Sequence, residues 1–201
     1  MRKLNREFYN RDSILVARDL LGKVLVHERE GKRISVRIVE AEAYMGLEDK
    51  AAHSYGGKRT KRVEVMYGDP GFAYMFQIYG MYFCFNVVTR EKGIPQAVLI
   101  RGAEPLEGIQ RLAENRYGKP YEELSKSQRK GFLNGPGKLC RALSLDRSFN
   151  GMDLCGDQVY FEEGTGESFP ITATKRVGID YAEEARDYLW RFCIEGSEQA
   201  P

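Results

Sequence analysis

The sequence has 201 residues, enough for one domain with its own apolar core. Apolar residues make up 42% of it and charged residues 30%, and no apolar segment is long enough to cross a bilayer, which argues against a membrane protein and indicates a globular one. The formal net charge of +2 neither requires nor excludes a nucleic-acid partner, so the distribution of charge matters more than its sum.

The N-terminus and the cysteines indicate the cellular compartment. Residues 1–7 contain no apolar core, so we expect no secretion signal and a cytoplasmic protein. The cysteines are far apart and form no C-x-x-C pair, which argues against a zinc site. We therefore expect buried or idle thiols and no metal. The cysteines are Cys84, Cys140, Cys155 and Cys193.

The predicted elements alternate between strands and short helices. Asp12 and Ser13 are good N-cap residues, and the following apolar segment ends at Gly22, which predicts a helix at 14–22. Alternating apolar residues predict strands at 23–28, 33–44, 72–79, 81–89, 97–102, 158–162, 171–176 and 189–194. Further helices are predicted from 104, with Pro105 in the first turn, to about 115, within 117–130, and from 134 to 145. The remaining segments are expected to be irregular at 45–71, a turn or short helix at 181–187, and frayed at 196–201.

The order of these elements indicates an α+β fold. Most successive strands are joined by hairpins, and the helices are inserted between them. No internal repeat or interdomain linker interrupts the chain. We expect residues 1–201 to form a single domain around a curved, mostly antiparallel β-sheet with peripheral helices and a protruding β-hairpin.

The strand at 33–44 carries the first chemical signal. Its period-2 pattern places Glu40, Glu42 and Tyr44 on one face. Two carboxylates on an apolar strand are costly to bury unless that face lines a cleft. His53 follows within a short loop. A carboxylate, an aromatic face and a histidine in this span can activate water beside a flat ligand.

The predicted turn at Tyr79-Gly80-Met81-Tyr82 is unusually apolar, because hairpin turns are normally polar. One interpretation is a tip folded back under a loop. The other is an exposed wedge, since proteins that extrude nucleotides insert an aromatic or apolar side chain between base steps. The strand parity beyond the turn places Tyr82, Cys84 and Asn86 on a shared face, and that face need not be wholly core.

Two glycine-rich segments could contact phosphate. The segment at 56–62 holds Gly56 and Gly57 followed by basic residues, and it is either a solvated loop or a phosphate-contacting loop. Gly135-Pro136-Gly137-Lys138 opens a helix whose N-terminus could hold a phosphate, or it is an ordinary helix entry. The sequence has no dinucleotide-binding glycine motif, Walker loop or nucleophile elbow.

Several of these segments, taken in order, resemble the alkyladenine (3-methyladenine) DNA glycosylase family. The resemblance extends over nearly the whole chain and implies a mixed α/β domain that performs base-excision repair without a metal or cofactor. The motifs that carry it are Arg37-Ile38-Val39-Glu40-Ala41-Glu42-Ala43-Tyr44, Glu48-Asp49-x-Ala51-Ala52-His53-Ser54, Ile78-Tyr79-Gly80-Met81-Tyr82-Phe83-Cys84-x-Asn86, Leu99-Ile100-Arg101-x-x-Glu104-Pro105-Leu106-Glu107-Gly108, Gly135-Pro136-x-Lys138-Leu139-Cys140 and Arg176-Val177-Gly178-Ile179.

The resemblance also implies roles for individual residues. Glu42 matches the family's catalytic glutamate, and Arg101 matches an arginine beside it. The base-binding residues implied are Tyr44 and His53, which stack on the flipped base, Phe76, and Asn86, which inspects the purine edge. The DNA-intercalating residues are Tyr79, which fills the gap in the duplex, with Met81 and Tyr82. The expected phosphate contacts are Lys58, Arg59 and Lys138. The family often has tyrosine where this chain has Phe76. We expect the loss of that hydroxyl to change lesion preference relative to other members.

The resemblance predicts simple hydrolysis. The target base leaves the stack, and an ionised Glu42 activates water against a sugar that develops positive charge. Double-stranded DNA containing damaged purines is the expected partner, and a monomer is the simpler assembly. Two alternatives remain at this point. One is a sugar glycosidase with Glu40 and Glu42 as its pair, and the other is a non-enzymatic nucleic-acid-binding module with basic and aromatic surface.

Overall fold

The computed structural model describes residues 1–29 and 31–200. Within these ranges it contains one eight-stranded sheet whose paired strands are antiparallel, with short helices around it. The strands are β1 Val24–Arg29, β2 Lys32–Tyr44, β3 Ala73–Ile78, β4 Tyr82–Thr89, β5 Gln96–Glu107, β6 Val159–Glu162, β7 Ile171–Thr174 and β8 Arg191–Ile194. The predicted α+β fold with a curved antiparallel sheet is confirmed.

The helices are short. The α-helices are α1 Arg6–Tyr9, α2 Ser13–Leu20, α3 Ile109–Tyr117, α4 Lys126–Lys130 and α5 Pro136–Ala142. Single 3₁₀ turns lie at Gly46–Glu48, Tyr55–Gly57, Glu64–Tyr67, Tyr121–Glu123, Arg147–Phe149 and Glu183–Asp187. No helix in the described part of the chain combines the length and apolar character that crossing a bilayer requires.

Strand β2 lies at the centre of the sheet, whose strand order is β3-β4-β5-β2-β1-β6. One edge of β2 pairs with β5 along most of its length. The other edge pairs first with β1 and then, at Glu40 to Glu42, with β8, which also pairs with β7. The second half of β2 is therefore held on both sides by strands from distant parts of the chain.

The main core lies on the apolar face of β2. Ala41 and Ala43 are fully buried there, and their small side chains allow helix α2 to pack closely against the strand. The opposite face carries Glu42 and Tyr44. The period-2 pattern of the sequence thus correctly separates the core face of β2 from the face that lines the cleft.

The predicted helix start at 104 is wrong. Strand β5 continues to Glu107, with Glu104 opposite Arg37 and Pro105 opposite Val36 on β2. A register shift between Ser35 and Val36 marks a bulge at this point, where a strand tolerates proline. Helix α3 begins at Ile109 instead, after Gly108, whose φ of 72° suits glycine.

The end of the chain packs against the body of the protein, which differs from the expected fraying for residues 196–200. The Gln199 side chain is buried, accepts a hydrogen bond from the Leu133 backbone N–H at 2.9 Å and donates to the Arg129 carbonyl at 3.2 Å. These bonds satisfy backbone groups beside α4 and before α5. Pro201 lies outside the described residues.

Candidate active site

A cleft of about 400 Å³ opens on the face of the sheet where the second half of β2 meets β3, β4 and β5. The segment 176–181 forms its remaining wall. Among its lining residues are six that the sequence predicts for the site: Tyr44, His53, Phe76, Tyr79, Asn86 and Arg101. Residues that are far apart in the sequence are therefore brought together, as expected of a site assembled by the fold.

Glu42 lies directly behind this wall. Its side chain is 0% exposed, and the Tyr44 hydroxyl donates to Oε2 at 2.9 Å. The Val177 backbone N–H donates to Oε1 at 2.8 Å, and Arg101 Nε lies 3.4 Å from the same oxygen. All three of these neighbours line the cleft. Because a carboxylate has about four acceptor positions, Glu42 retains capacity for another donor.

Burial and these partners have opposite effects on the ionisation of Glu42. Burial raises the pKa of Glu42 above its ordinary value, while Arg101, the Val177 N–H and the Tyr44 hydroxyl oppose that rise. Burial alone would lower the pKa of Arg101, but the carboxylates of Glu42 and Glu40 raise it above its ordinary value. Arg101 is therefore a permanent cation beside a carboxylate that is harder to ionise than usual.

Glu40, the second carboxylate on this face of β2, has a different environment. It is buried, and its Oε1 accepts hydrogen bonds from Arg101 Nε at 3.0 Å and Arg191 Nε at 2.6 Å. Glu40 does not line the cleft. Glu40 pairs with Arg101 and Arg191, whereas the partners of Glu42 line the cleft, so the two carboxylates do not form the facing pair that a sugar glycosidase would need.

The aromatic side of the cleft is built from His53, Tyr74 and Phe76. The His53 and Phe76 rings meet edge to face with centroids 4.6 Å apart, and His53 Nδ1 shares a hydrogen bond of 2.9 Å with the Tyr74 hydroxyl. Burial, together with nearby Arg62 and Lys58, lowers the pKa of His53 to about 4. His53 is therefore neutral at pH 7 and contributes a flat uncharged ring.

Tyr74 and Arg62 are lining residues that the sequence analysis did not identify. No motif in the sequence marks Tyr74 as a site residue, because it looks like another core aromatic on β3. Arg62 belongs to the basic segment 56–62, which was singled out, but nothing in the sequence indicates that its guanidinium lies over the Phe76 ring, 5.5 Å from the centroid. A cation at this position faces whatever enters the cleft.

Asn86 is fixed in place on β4. Its Nδ2 donates to the Tyr74 carbonyl at 3.0 Å and is 3.4 Å from the Cys84 carbonyl. Because a carbonyl can only accept, these contacts determine which end of the amide points into the sheet. Asn86 thus lines the cleft and also satisfies a neighbouring backbone group.

The β3–β4 turn is exposed. Tyr79 is 87% exposed and Met81 68% exposed, so the interpretation of a tip folded under a loop is wrong. Tyr79 and Gly80 both have positive φ, 51° and 71°, as in a type I′ turn. Tyrosine is a strained choice at this position, where asparagine is preferred. Tyr82 instead packs against α5, where a Cβ on Gly137 would lie 3.0 Å from the Tyr82 Cβ.

The predicted phosphate contacts lie on two surfaces. Lys58 and Arg59 are exposed in the loop after His53, and Arg59 donates to both oxygens of Glu64. Lys138 is exposed on α5, and its Nζ donates to Asn134 Oδ1 at 2.7 Å. The structure thus leaves their charges accessible but does not bring the three side chains into one cluster.

A buried ion pair joins the two loops that close the cleft. Arg176 donates to Asp49 through both terminal nitrogens, at 2.5 and 2.8 Å, and both side chains are fully buried. Asp49 lies in the loop after β2, and Arg176 immediately precedes Val177. This bidentate pair therefore fixes the position of the N–H group that contacts Glu42. The described residues contain no cluster of three or more histidine, cysteine or acidic side chains arranged for a metal ion.

The comparisons with known proteins agree with this geometry. The site combines a cleft lined by aromatic rings, a buried carboxylate behind it and an exposed apolar hairpin at its rim. The family model described as "Methylpurine-DNA glycosylase (MPG)" matches residues 7–198, and the chain belongs to this family. The family assignment made from the sequence motifs is therefore confirmed.

Bacterial relatives align over almost their entire length. A protein of Desulfitobacterium hafniense (strain Y51) is 68% identical over 98% of this chain and 98% of its own. Proteins of Clostridium acetobutylicum and Clostridium novyi (strain NT) are 58% and 56% identical, each over 98% of this chain and over 96% and 98% of their own lengths. Each of the three is named "Putative 3-methyladenine DNA glycosylase".

Proposed function

We propose that this protein excises methylated purines, 3-methyladenine among them, from duplex DNA by hydrolysing the N-glycosidic bond. The family match and the names of the relatives support the reaction class. The observation that carries the mechanism is the position of Glu42, a buried carboxylate whose partners Tyr44, Arg101 and the Val177 N–H all line the aromatic cleft.

The cleft suits a single flipped base. Its volume of about 400 Å³ falls in the range of about 300–1,000 Å³ that encloses small ligands. The ring of Phe76 and the neutral ring of His53 offer faces and edges on which a purine can stack. A purine methylated at N3 or N7 is cationic, so the ring quadrupoles attract it, and the base is already a good leaving group.

Glu42 is the general base in this proposal. A water held between the carboxylate and the anomeric carbon of the flipped nucleotide loses its proton to Glu42 as it attacks. The carboxylate also opposes the positive charge that develops on the sugar, and Arg101, the Val177 N–H and the Tyr44 hydroxyl hold it in place. These partners oppose the rise that burial causes in the pKa of Glu42 and so favour the ionised form that a general base requires.

The proposed reaction ends at the abasic site. A lyase step requires an amine that forms an imine with the sugar, and the described lining of the cleft contains arginines but no lysine. Cys84, the thiol in the lining, is a poor nucleophile because burial raises its pKa to about 12. We therefore propose a monofunctional glycosylase. We also propose that it acts as a monomer in the cytoplasm.

Base flipping is assigned to the hairpin. The exposed Tyr79 ring stands at the rim of the cleft and is proposed to occupy the space that the flipped base vacates, with Met81 beside it and Tyr82 supporting the turn. Lys58, Arg59 and Lys138 are proposed to hold flanking phosphates of the duplex.

The test is product analysis on duplex DNA that contains one 3-methyladenine. We expect the free methylated base, an abasic strand that breaks only after alkaline treatment, and no covalent adduct when borohydride is added during the reaction. An undamaged duplex of the same sequence is the control. Tight binding without free base would contradict the proposed activity, and a borohydride-trapped protein–DNA adduct would contradict simple hydrolysis.

A further inference from the structure

Arg62 contributes a cation to the base-binding cleft whose environment differs from that of Arg101. Both arginines line the cleft, and Arg101 is paired with the carboxylates of Glu40 and Glu42. Across residues 1–29 and 31–200, by contrast, no acidic side chain forms an ion pair with Arg62, and the acidic residue nearest to it in sequence, Glu64, pairs with Arg59 instead. The charge of Arg62 is therefore available to whatever occupies the cleft.

Arg62 lies beside the rings on which a base is proposed to stack. Its guanidinium carbon is 5.5 Å from the centroid of the Phe76 ring, and that ring meets His53 edge to face. Burial lowers the pKa of His53, and the charge of Arg62 lowers it further. Burial raises the pKa of Tyr74, and Arg62 opposes that rise. Arg62 therefore acts on the side of the cleft that faces the base, whereas Glu42 is proposed to act at the sugar.

The charge of Arg62 does not help the cleft to bind a methylated purine. A purine methylated at N3 or N7 is cationic, so Arg62 repels it, and the guanidinium group competes with the base for the Phe76 ring. Arg62 therefore opposes binding of the substrate class proposed for this cleft. Such a residue can still increase the reaction rate, provided that its interaction with the transition state is more favourable than its interaction with the bound substrate.

The reaction itself changes the charge of the base in one direction. The bond between C1′ and the base nitrogen breaks heterolytically, and both of its electrons remain with the base. The water oxygen bonds to C1′, and its proton passes to Glu42. A cationic base therefore departs as a neutral molecule, and a neutral base departs as an anion that takes up a proton from solvent. A cation beside the base stabilises either change.

We propose that Arg62 is a catalytic residue that assists the departure of the base. Its guanidinium repels a cationic base in the bound duplex, and this repulsion disappears as the base becomes neutral, so the barrier to bond cleavage is lower. This inference rests on the proposed glycosylase reaction and adds a separate electrostatic role at the leaving group. Because the Arg62 side chain is exposed, dissolved salt screens its charge.

Arg62→Gln tests this role through single-turnover excision of 3-methyladenine from duplex DNA at saturating enzyme. We expect the rate constant to fall about tenfold, and the loss to shrink as the salt concentration rises. Arg62→Lys keeps the charge and should restore most of the lost rate. Lys61→Gln is the matched control, because it removes one positive charge from an adjacent exposed residue that is not part of the described cleft lining, and it should leave the rate unchanged.

Three results of this rate measurement would contradict the proposal. Equal rates in the parent and Arg62→Gln would overturn it, as would equal losses in Arg62→Gln and Lys61→Gln. Equal rates in Arg62→Lys and Arg62→Gln would overturn the role of charge. If the parent releases no methylated base, the proposed function fails and this inference fails with it. If the parent releases the base and Arg62→Gln does so at the same rate, only the role of Arg62 fails.

A binding measurement separates this role from a phosphate contact. The probes are two duplexes that differ only in the charge of one base: N7-methylguanine, with a 2′-fluorine on its sugar to prevent hydrolysis, and the neutral isostere 7-deaza-7-methylguanine on the same sugar. Arg62→Gln should raise affinity for the cationic duplex about threefold relative to the neutral one, because the repulsion has been removed. Equal weakening of both duplexes would identify Arg62 as a phosphate contact and overturn the proposal, and an unchanged affinity ratio would also overturn it.

Discussion

Two regions depart in opposite directions from the usual burial of apolar and exposure of polar side chains. One is the pocket wall, taken here with the carboxylate behind it (Glu42, Tyr44, Asn86 and Arg101), and the other is the hairpin tip (Tyr79, Gly80 and Met81). The wall buries a carboxylate and an arginine inside an apolar sheet. The tip exposes an aromatic ring and a methionine at a turn that normally carries polar residues. Each arrangement is unfavourable for the free protein, and under the proposed mechanism each becomes favourable when a nucleotide moves from the stacked duplex into the cleft.

The two regions differ in how firmly their side chains are held. The Tyr44 hydroxyl bonds to Glu42 on the same strand, and Glu42, Asn86 and Arg101 each bond to a group on another strand or loop, so the wall is held in place before a base arrives. Among residues 1–29 and 31–200 no ring–ring contact involves Tyr79, and its side chain is 87% exposed. A chemical step needs groups fixed in advance, whereas a wedge must adapt to the DNA that it enters. We therefore expect changes in the wall to affect catalysis and changes in the tip to affect binding.

The largest expected effect comes from Glu42→Gln. The amide keeps the shape of the side chain but cannot take the proton from water, so single-turnover excision should fall by about 10²–10⁴-fold while binding to lesion DNA persists or improves. Glu162→Gln is the matched control, since Glu162 is also buried and paired with an arginine, Arg33, but lies on β6. A comparable loss of excision in both variants would show that Glu42 has a structural role only.

Asn86→Ala tests selectivity within the wall. A rigid amide against the C2 edge of a purine leaves no room for the exocyclic amine of guanine, and losing it should raise excision of N7-methylguanine relative to hypoxanthine by about tenfold to a few hundredfold. The ratio of the two rates in otherwise identical duplexes measures this. The variant also loses the bond to the Tyr74 carbonyl, so its circular dichroism must match the parent. An unchanged ratio would place selectivity elsewhere, at Phe76 or His53.

At the tip, Tyr79→Asn separates the wedge from the turn. Asparagine accepts the positive φ of this position more readily than tyrosine, so the hairpin should fold at least as well. Without the ring, affinity for lesion duplex should fall about tenfold, and affinity for single-stranded lesion DNA should change less, because no gap needs filling. A fluorescent base placed opposite the lesion reports flipping. A normal flipping signal in this variant would exclude Tyr79 as the wedge.

The smallest expected effect is on stability, and its pH dependence has a defined sign. The pKa of Glu42 is raised in the folded state, so its contribution to stability is present at low pH and is lost as pH rises through the folded-state value. Relative to the parent, Glu42→Gln should therefore gain stability as the pH rises above the ordinary pKa of a glutamate, by on the order of 1 kcal/mol. Urea denaturation at several pH values measures the difference.

Glu162→Gln provides the opposite control for this measurement. Hydrogen bonds from Arg33 hold the pKa of Glu162 below its ordinary value, so its contribution to stability is present above the ordinary pKa and is lost on acidification. The two variants should therefore change stability in opposite directions as pH rises. Parallel pH dependence would show that burial does not dominate the environment of Glu42.

Many residues of the pocket wall and the hairpin tip can be predicted from the sequence, because local patterns mark them. The period-2 alternation in β2 places Glu42 and Tyr44 on the cleft face, and the apolar Tyr79-Gly80-Met81 turn stands out because turns are normally polar. Strand β5 was predicted too short because Pro105 usually signals a helix start, and only the bulge opposite Val36 makes it acceptable in a strand.

Residues that act through tertiary contacts could not be predicted in this way. Tyr74 is indistinguishable from a core aromatic until its hydroxyl is seen beside His53. Val177 contacts Glu42 through its backbone N–H, a group that every residue other than proline possesses. The partnership between Glu40 and Arg191 joins strands from opposite ends of the chain, and no local pattern encodes it.

The Arg176–Asp49 ion pair has a consequence for when the enzyme becomes active during its own synthesis. The pair spans 127 positions of the chain, and the adjacent Val177 N–H reaches Glu42 across 135. A ribosome releases the N-terminal strands first, so the Tyr79 hairpin emerges well before the segment that completes the catalytic centre. Under the proposed mechanism, a chain that ends before residue 176 lacks both the Arg176–Asp49 pair and the backbone N–H that contacts Glu42, so we expect it to have no glycosylase activity.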